Sequence, residues 1–190
     1  MSSQVDICNG ALNQLGASTI ISLSDDSKNA RMLNQRYDMV RDRVFREHPW
    51  NCLLKRVSIA ADATAPAYEY SYAYTLPADC LRVLQTFEMR DDVDFKVEGR
   101  KILTDATTMK ILYVAKITDT TEYDTSLVET LTAALAADIA YGITGSTTMI
   151  QIMEERYKEK LKDARFADAT EGTVDDETRI QADDFINARL

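Results

Sequence analysis

Residues 29–50 read N-A-R-M-L-N-Q-R-Y-D-M-V-R-D-R-V-F-R-E-H-P-W, and this stretch decides how the rest of the chain can fold. Apolar side chains recur in it at alternating steps of three and four residues, which places them along one side of a helix. They are Ala30, Leu33, Tyr37, Val40 and Val44. Most charged residues of the stretch fall off this stripe. The pattern predicts a helix over about residues 27–48 that packs one face into a helical bundle.

Both ends of this helix are marked in the sequence. Residues 24–27 (S-D-D-S) offer hydroxyl and carboxylate groups that can cap the first turn and complement the positive end of the helix dipole. Pro49 cannot continue a helix, and it biases His48 toward an extended backbone. We therefore expect a sharp turn at Trp50, with His48 acting as a C-terminal cap and a packing contact.

Length and charge limit the number of domains and the partners that the protein can bind. A chain of 190 residues corresponds to one domain, or to one domain with an appendage. The formal net charge is -9 at pH 7, and most of the excess negative charge lies in residues 57–146. Phosphate binding needs clustered Lys and Arg, so the chain is a poor candidate for gripping DNA, although it can face DNA across a lumen. The sequence predicts neither a signal peptide nor a transmembrane helix.

Three further segments show helical spacing, at residues 4–16, 126–142 and 149–169. Gly16 is placed to end the first, and Gly142 and Gly145 are placed to break the second. The second is rich in alanine, so we expect it in the bundle interior, where small side chains let helices approach closely. The expected fold is α+β and mainly α. It is a four-helix bundle with a small antiparallel β-sheet inserted between helices 2 and 3, and an extended C-terminal tail.

Residues 55–117 change to a period of two, which predicts the inserted sheet. Residues 98–100 predict a tight hairpin, and residues 109–117 form the clearest strand. Alternating tyrosines would fill one face of another strand with aromatic rings: Tyr68, Tyr70, Tyr72 and Tyr74. We expect this face to pack on the bundle or on a neighbouring subunit. The alternative is a surface that stacks sugars or bases.

The end of the chain differs from the rest. We expect residues 1–169 to form a single domain and residues 170–190 to form an acidic tail. The tail carries six acidic and two basic residues, yet it keeps Ile180, Phe185, Ile186 and Leu190. A purely disordered tail would have little reason to retain these apolar residues. We predict that the tail orders on a partner; the alternative is a frayed terminus.

Catalytic and metal-binding patterns are not found in the sequence. Phosphate-loop, dinucleotide-binding and H-E-x-x-H motifs are absent, and the one histidine, His48, lies at a helix end. Cys8, Cys52 and Cys80 are odd in number and widely spaced, which argues against a disulfide framework or a zinc site. Adjacent carboxylates lie in turn and tail segments, where acids are usually solvated. We predict a protein that is not an enzyme and binds no cofactor or metal.

Several segments together resemble the tail tubular protein A family, the head-to-tail adaptors of short-tailed, T7-like bacteriophages. They are I-C-N-G-A-L-N-Q-L-G (7–16), I-I-S-L-S-D-D-S-K-N-A-R (20–31), Y-D-M-V-R-D-R-V-F-R-E-H-P-W (37–50), Y-A-Y-T-L-P-A-D-C-L-R-V (72–83) and L-T-A-A-L-A-A-D-I-A-Y (131–141). The acidic tail extends the match to nearly the whole chain. None of these motifs is catalytic, so the resemblance rests on their number and order. Asn51 and Cys52 depart from the family pattern, which bears on the phage subgroup.

The resemblance implies a structural virion protein at the head-tail junction, made in the host cytoplasm. Subunits similar to this one assemble as a dodecameric ring that docks under the portal protein and receives the tail nozzle protein below. DNA passes through the axial channel without specific binding, and no membrane is involved. An isolated subunit can remain monomeric until the portal templates the ring.

We assign contact residues within this framework as hypotheses. Inter-subunit or portal contacts are assigned to Arg31, Arg36, Arg41 and Arg43, with an ordinary solvated helix face as the alternative. Portal docking by the tail is assigned to Phe185, Ile186, Arg189 and Leu190. Two other functions stay open: a virion-associated cell-wall carbohydrate hydrolase, and another head-completion or tail-terminator ring protein.

Overall fold

A computed structural model describes residues 2–87 and 94–171 of the chain. The predicted tail beyond Glu171 lies outside the described residues. The fold is mixed α+β, with about 49% helix and 20% strand. Its helices are α1 (Gln4–Gln14), α2 (Lys28–Glu47), α3 (Thr125–Thr144) and α4 (Thr147–Thr170). Each begins and ends within two residues of the predicted bounds.

The first two helices begin at side-chain caps. At α1, the Ser3 hydroxyl accepts a hydrogen bond from the Asp6 amide, and the Asp6 carboxylate accepts one from the Ser3 amide at 2.8 Å. At α2, the Ser27 hydroxyl accepts from the Ala30 amide at 3.1 Å. Each cap satisfies amides that the first turn of a helix leaves unpaired. Helix α2 ends at His48, whose backbone is extended as expected before proline.

Helix α3 packs against each of the other three helices. Its buried side chains include four alanines and three large aliphatic residues, namely Ala133, Ala134, Ala136, Ala140, Leu127, Leu131 and Leu135. The approach to α1 is tight, because a Cβ added at Gly10 would lie 2.9 Å from the Thr132 methyl group. Helix α3 is long and apolar enough to span a membrane by length and composition alone, yet half of that stretch is buried inside the fold.

Helix α3 continues past Gly142, the first of the two glycines predicted to break it, and ends at the second. Gly142 stays helical, and a Cβ there would lie 2.5 Å from the terminal carbon of Met32 on α2. The helix ends at Gly145, which adopts a left-handed backbone (φ +68°) and donates its amide to the Tyr141 carbonyl at 2.8 Å. The left-handed backbone of Gly145 therefore ends α3, whereas Gly142 leaves room for the Met32 side chain.

The insertion contains two sheets, which corrects the prediction of one. The first has the order β1-β6-β3, formed by Leu54–Ile59, Met109–Ala115 and Cys80–Phe87. The second has the order β2-β5-β4, formed by Tyr72–Thr75, Lys101–Thr104 and Phe95–Glu98. All pairings are antiparallel, and the predicted hairpin at Gly99 and Arg100 joins β4 to β5. Alternation in a sequence indicates strands but not their partners, so it could not separate the two sheets.

The predicted strand of alternating tyrosines is mostly wrong. Strand β2 begins only at Tyr72, because Glu69 has a left-handed backbone (φ +74°) that interrupts an extended chain. Tyr74 is fully buried, and its hydroxyl donates to the Ala106 carbonyl at 2.6 Å. Tyr68 is exposed and, with Tyr70, lines an open depression of about 370 Å³. The four rings therefore do not form one aromatic face.

We expect Ala134→Leu to lower the free energy of unfolding by about 2 kcal/mol, because Ala134 is fully buried on α3 and extra methyl groups must displace packed neighbours. The matched control is Ala169→Leu on the exposed side of α4, which should change it by less than about 0.5 kcal/mol. Urea unfolding followed by circular dichroism measures both. Equal stability of the two variants would contradict the close packing of α3.

Candidate interaction surface

The four arginines assigned to contacts lie in different environments on α2. Arg36 makes a two-pronged ion pair with Asp138 of α3, with Nε and Nη2 each 2.7 Å from a carboxylate oxygen. Hydrogen bonding to Asp138 raises the pKa of Arg36. Arg31 is largely exposed and pairs with the equally exposed Asp26. Arg36 therefore joins two helices, whereas Arg31 contributes little to the fold.

Arg41 does not lie on the outer surface, which corrects its assignment as a contact with another subunit. It is 4% exposed, and its guanidinium pairs with Asp42 at 2.8 Å and with Asp38 at 2.9 Å. Asp42 also accepts from Lys116 of the strand-to-helix connection at 2.8 Å. A buried guanidinium must be paired within the chain, so Arg41 belongs to the fold.

Arg43 stands at the edge of a groove of about 600 Å³ between α2, α3 and α4. Its guanidinium lies 5.8 Å from the centre of the Tyr157 ring, and its Nε lies 3.8 Å from the Glu47 carboxylate. Burial raises the pKa of Tyr157, so the hydroxyl stays protonated and donates to Glu47. The remaining lining is Ala137, Asp138, Tyr141, Ile150, Glu154, Lys158 and Leu161.

Large apolar side chains are exposed on α2, α3 and α4, and Tyr141 among them also lines the groove. They are Met39 on α2, Tyr141 on α3, and Ile152 and Phe166 on α4, with exposed fractions from 49% to 75%. Single exposed apolar residues are ordinary, but several on adjoining helices are typical of a surface that another chain covers. This set, with Arg43 and the groove, is the candidate interaction surface.

The buried carboxylate of Asp168 holds the end of α4 in place. Asp168, in the last turn of α4, lies 2.9 Å from His48 Nε2 and accepts from the Asn51 amide at 3.0 Å. Its carbonyl accepts from the Asn51 side chain at 2.7 Å. His48 also contacts Trp50 edge to face, as a capping residue with a packing contact was expected to do. These contacts therefore hold the last turn of α4 against the corner that follows α2.

The remaining site predictions have different outcomes. Phe185, Ile186, Arg189 and Leu190 lie outside the described residues. Burial raises the pKa of Cys8 to about 12, which makes its thiol unreactive. Within residues 2–87 and 94–171, no group of three His, Cys, Asp or Glu side chains is placed to hold a metal ion.

Comparison of the chain with protein-family models and with curated proteins finds no match.

Sequence reasoning missed the partners that build this surface. Asp138 meets Arg36 across 102 positions of sequence, and Asp168 meets His48 across 120. An isolated aspartate in a helical pattern is usually solvated. The sequence pattern around Asp138 and Asp168 therefore gave no indication of their distant partners. The groove was missed for the same reason, since its walls come from three helices whose arrangement only packing decides.

We expect Arg36→Ala to lower the free energy of unfolding by about 1 to 2 kcal/mol, because it leaves the mostly buried Asp138 without its ion-pair partner. Arg31→Ala on the same helix is the matched control and should cost less than about 0.5 kcal/mol, as exposed pairs do. Urea unfolding of both variants measures the difference. A larger loss for Arg31→Ala would reverse the assignment of these two arginines.

Removal of the corner carboxylate should be more costly. We expect Asp168→Ala to lower the free energy of unfolding by about 2 to 3 kcal/mol, because the Asn51 amide and the His48 ring lose their acceptor in a part-buried site. Asp163→Ala, on the exposed side of the same helix, should be within about 0.5 kcal/mol of the parent. Thermal unfolding of the two variants would rank them, and equal melting temperatures would remove Asp168 from this role.

Proposed function

We propose that the protein is a structural head-to-tail adaptor. In this proposal the four helices form a bundle, subunits close into a ring between the portal protein and the tail nozzle protein, and DNA passes along the axis. The resemblance of five ordered sequence motifs to the tail tubular protein A family is the first support. The protein acts by assembly and performs no catalysis.

The observation that carries the proposal is the exposed apolar set on α2, α3 and α4. Met39 and Phe166 are 63% and 75% exposed, although burying such side chains is favourable by roughly 1.5 to 3 kcal/mol each. A neighbouring subunit or the portal supplies that burial in a ring.

The charge of the chain agrees with a channel component. Residues 57–146 hold most of the excess negative charge of a chain with net charge -9. A negative lumen repels the DNA backbone and lets the duplex slide without binding.

Ring closure needs a heterologous contact, in which one patch meets a different patch on the next subunit. Such a patch does not pair with itself, so an isolated subunit stays monomeric when the contact is weak. We assign Arg31 and Arg43, both exposed, to this contact, and we leave the buried Arg41 out. Residues 185–190 of the tail are assigned to the portal.

The proposal is tested by co-sedimentation of the full chain with purified portal rings. We expect the parent to bind in stoichiometric amounts, and Met39→Asp and Ile152→Asp to bind at least about tenfold more weakly, because each buries a carboxylate in an apolar contact. Gln151→Asp, on a neighbouring exposed position of α4, is the matched control and should bind like the parent.

A second comparison separates the tail from the helices. A chain ending at Ala169 should lose portal binding if residues 170–190 are the docking element. Failure of the full-length parent to bind any portal ring would remove the main support for an adaptor, and assays for cleavage of cell-wall carbohydrate would then come first.

A further inference from the structure

The first sheet is positively charged although the chain is acidic. Its three strands contain four basic residues and no acidic one, whereas the whole chain has a net charge of -9. Lys55 and Arg82 are engaged within the subunit, by the Asp79 carboxylate and by a backbone carbonyl. The other two, Arg56 and Lys110, form no ion pair in the part of the chain that the structure describes. These two cations are therefore open to a partner.

Strand register places the two cations on the same face of the sheet. In the β1–β6 pair, Ser58 lies opposite Lys110 and Arg56 lies opposite Leu112, and directly opposed residues of an antiparallel pair share a face. Phe87 of β3 also lies opposite Lys110, so its ring belongs to this face. Apart from the central Leu112, these residues are exposed. The face therefore presents its charge to solvent.

Arg56 and Phe87 meet across the strand that separates them. The guanidinium carbon of Arg56 lies 5.5 Å from the centre of the Phe87 ring, and 42% of Phe87 is still exposed. The ring attracts the guanidinium and holds it in one place, while the N–H groups at its edge stay free to pair with a carboxylate. Arg56, Phe87 and Lys110 are called the cationic sheet face below.

The connection between β6 and α3 has the opposite charge. Residues 118–124 (T-D-T-T-E-Y-D), called the acidic segment below, contain three acidic residues and no basic one. The Thr121 hydroxyl donates to Asp119 at 2.7 Å, and this hydrogen bond lowers the pKa of Asp119, so that its carboxylate is ionised at neutral pH. Asp119 and Glu122 are both exposed, and within residues 2–87 and 94–171 neither forms an ion pair.

The cationic sheet face and the acidic segment lie at opposite ends of β6. Lys110 is the second residue of this strand, and the acidic segment follows Ala115 at its other end, which is about 17 Å away. The acidic segment stays at that end, because the Tyr123 hydroxyl donates back to the Ile117 carbonyl at 2.7 Å. This separation is several times the roughly 4 Å of an ion pair, so Lys110 does not reach the acidic segment of its own chain.

We propose that the cationic sheet face of one subunit binds the acidic segment of a second copy of the chain. Two different patches that meet head to tail form a heterologous contact, which is the kind that closes a ring. The role of this contact in assembly rests on the proposed ring of subunits. The contact itself is made between two copies and needs no portal.

A compact acidic segment suits this face better than a nucleic acid does. A polynucleotide binds through many phosphate contacts to clustered Lys and Arg, and this face offers only Arg56 and Lys110. Phosphates that extend past the face would meet a chain with a net charge of -9, which repels them. A short segment of a second copy places its carboxylates on the two cations and ends there.

The test is carbodiimide cross-linking of a mixture of unlabelled and isotope-labelled full-length chains, with no portal present. Carbodiimide joins a lysine ammonium directly to a carboxylate that touches it. We expect mass spectrometry to find Lys110 joined to Asp119 or Glu122 in peptides that combine the two labels, which shows that the link lies between chains. Raising sodium chloride from about 50 to 500 mM should lower its yield at least about fivefold, because salt screens exposed charges.

Charge variants test which groups pair. Arg56→Glu should lower the yield of the Lys110 cross-link at least about fivefold, because it places a carboxylate where the acidic segment binds. Lys162→Glu, at an exposed position of α4, makes the same change of charge and should leave the yield as in the parent. Circular dichroism checks that each variant is folded.

An exchange of charges provides a second test. Chains with Lys110→Glu and chains with Glu122→Lys should cross-link between the two substituted positions when they are mixed. Neither variant should form that link alone, because each then brings like charges together. The mixture restores opposite charges at the same contact, which a non-specific attraction between acidic and basic surfaces would not confine to these positions.

Three cross-linking results would overturn the inference. They are a Lys110 link found only within single chains, a Lys110 link spread evenly over the exposed carboxylates, and a yield that Arg56→Glu leaves unchanged. Absence of any Lys110 link would do the same. A single-stranded DNA of about 20 nucleotides is the further probe, since binding that Arg56→Glu and Lys110→Glu abolish would assign the face to nucleic acid.

The outcome is separate from that of the adaptor proposal. Co-sedimentation with portal rings is measured on the same parent chain. A parent that binds the portal but shows none of these cross-links keeps the adaptor function and loses this contact. A parent that forms the cross-links but binds no portal keeps the contact and loses the adaptor function.

Discussion

Close packing around helix α3 is the constraint on which the rest of the structure depends. This helix contacts α1, α2 and α4, and its fully buried alanines leave no space for larger side chains. Two glycines mark the tightest approaches, Gly10 of α1 against Thr132 and Gly142 of α3 against Met32. Neighbouring helices can come this close only where side chains are small, so the alanines determine how far apart all four helices lie.

The polar contacts of the helices follow from that spacing. Because α2 is close to α3, Arg36 Nε and Nη2 both donate to the Asp138 carboxylate. Lys28 Nζ donates to the Gly142 carbonyl at 2.6 Å. With α4 close to α2, Tyr157 reaches Glu47 and Asp168 reaches His48. The same spacing leaves the groove open above Ala137, where a small residue faces two larger walls.

Charged and apolar side chains favour different partners. Residues 57–146 hold most of the excess negative charge, and helices α2, α3 and α4 carry exposed methionine, tyrosine, isoleucine and phenylalanine side chains. Apolar area favours association with protein, and negative charge disfavours association with DNA.

The sequence by itself determined the elements with local causes. The stripe from Ala30 to Val44, the serine caps and Pro49 specify α2 because periodicity and capping act within one or two turns. The hairpin at Gly99 follows in the same way. Only the tertiary structure decided that there are two sheets and that β2 begins at Tyr72. It also decided that Arg41 is buried and that Asp138 and Asp168 bind distant partners. These features depend on which surfaces meet after the elements form, and residues more than 100 positions apart leave no local pattern from which such contacts can be read.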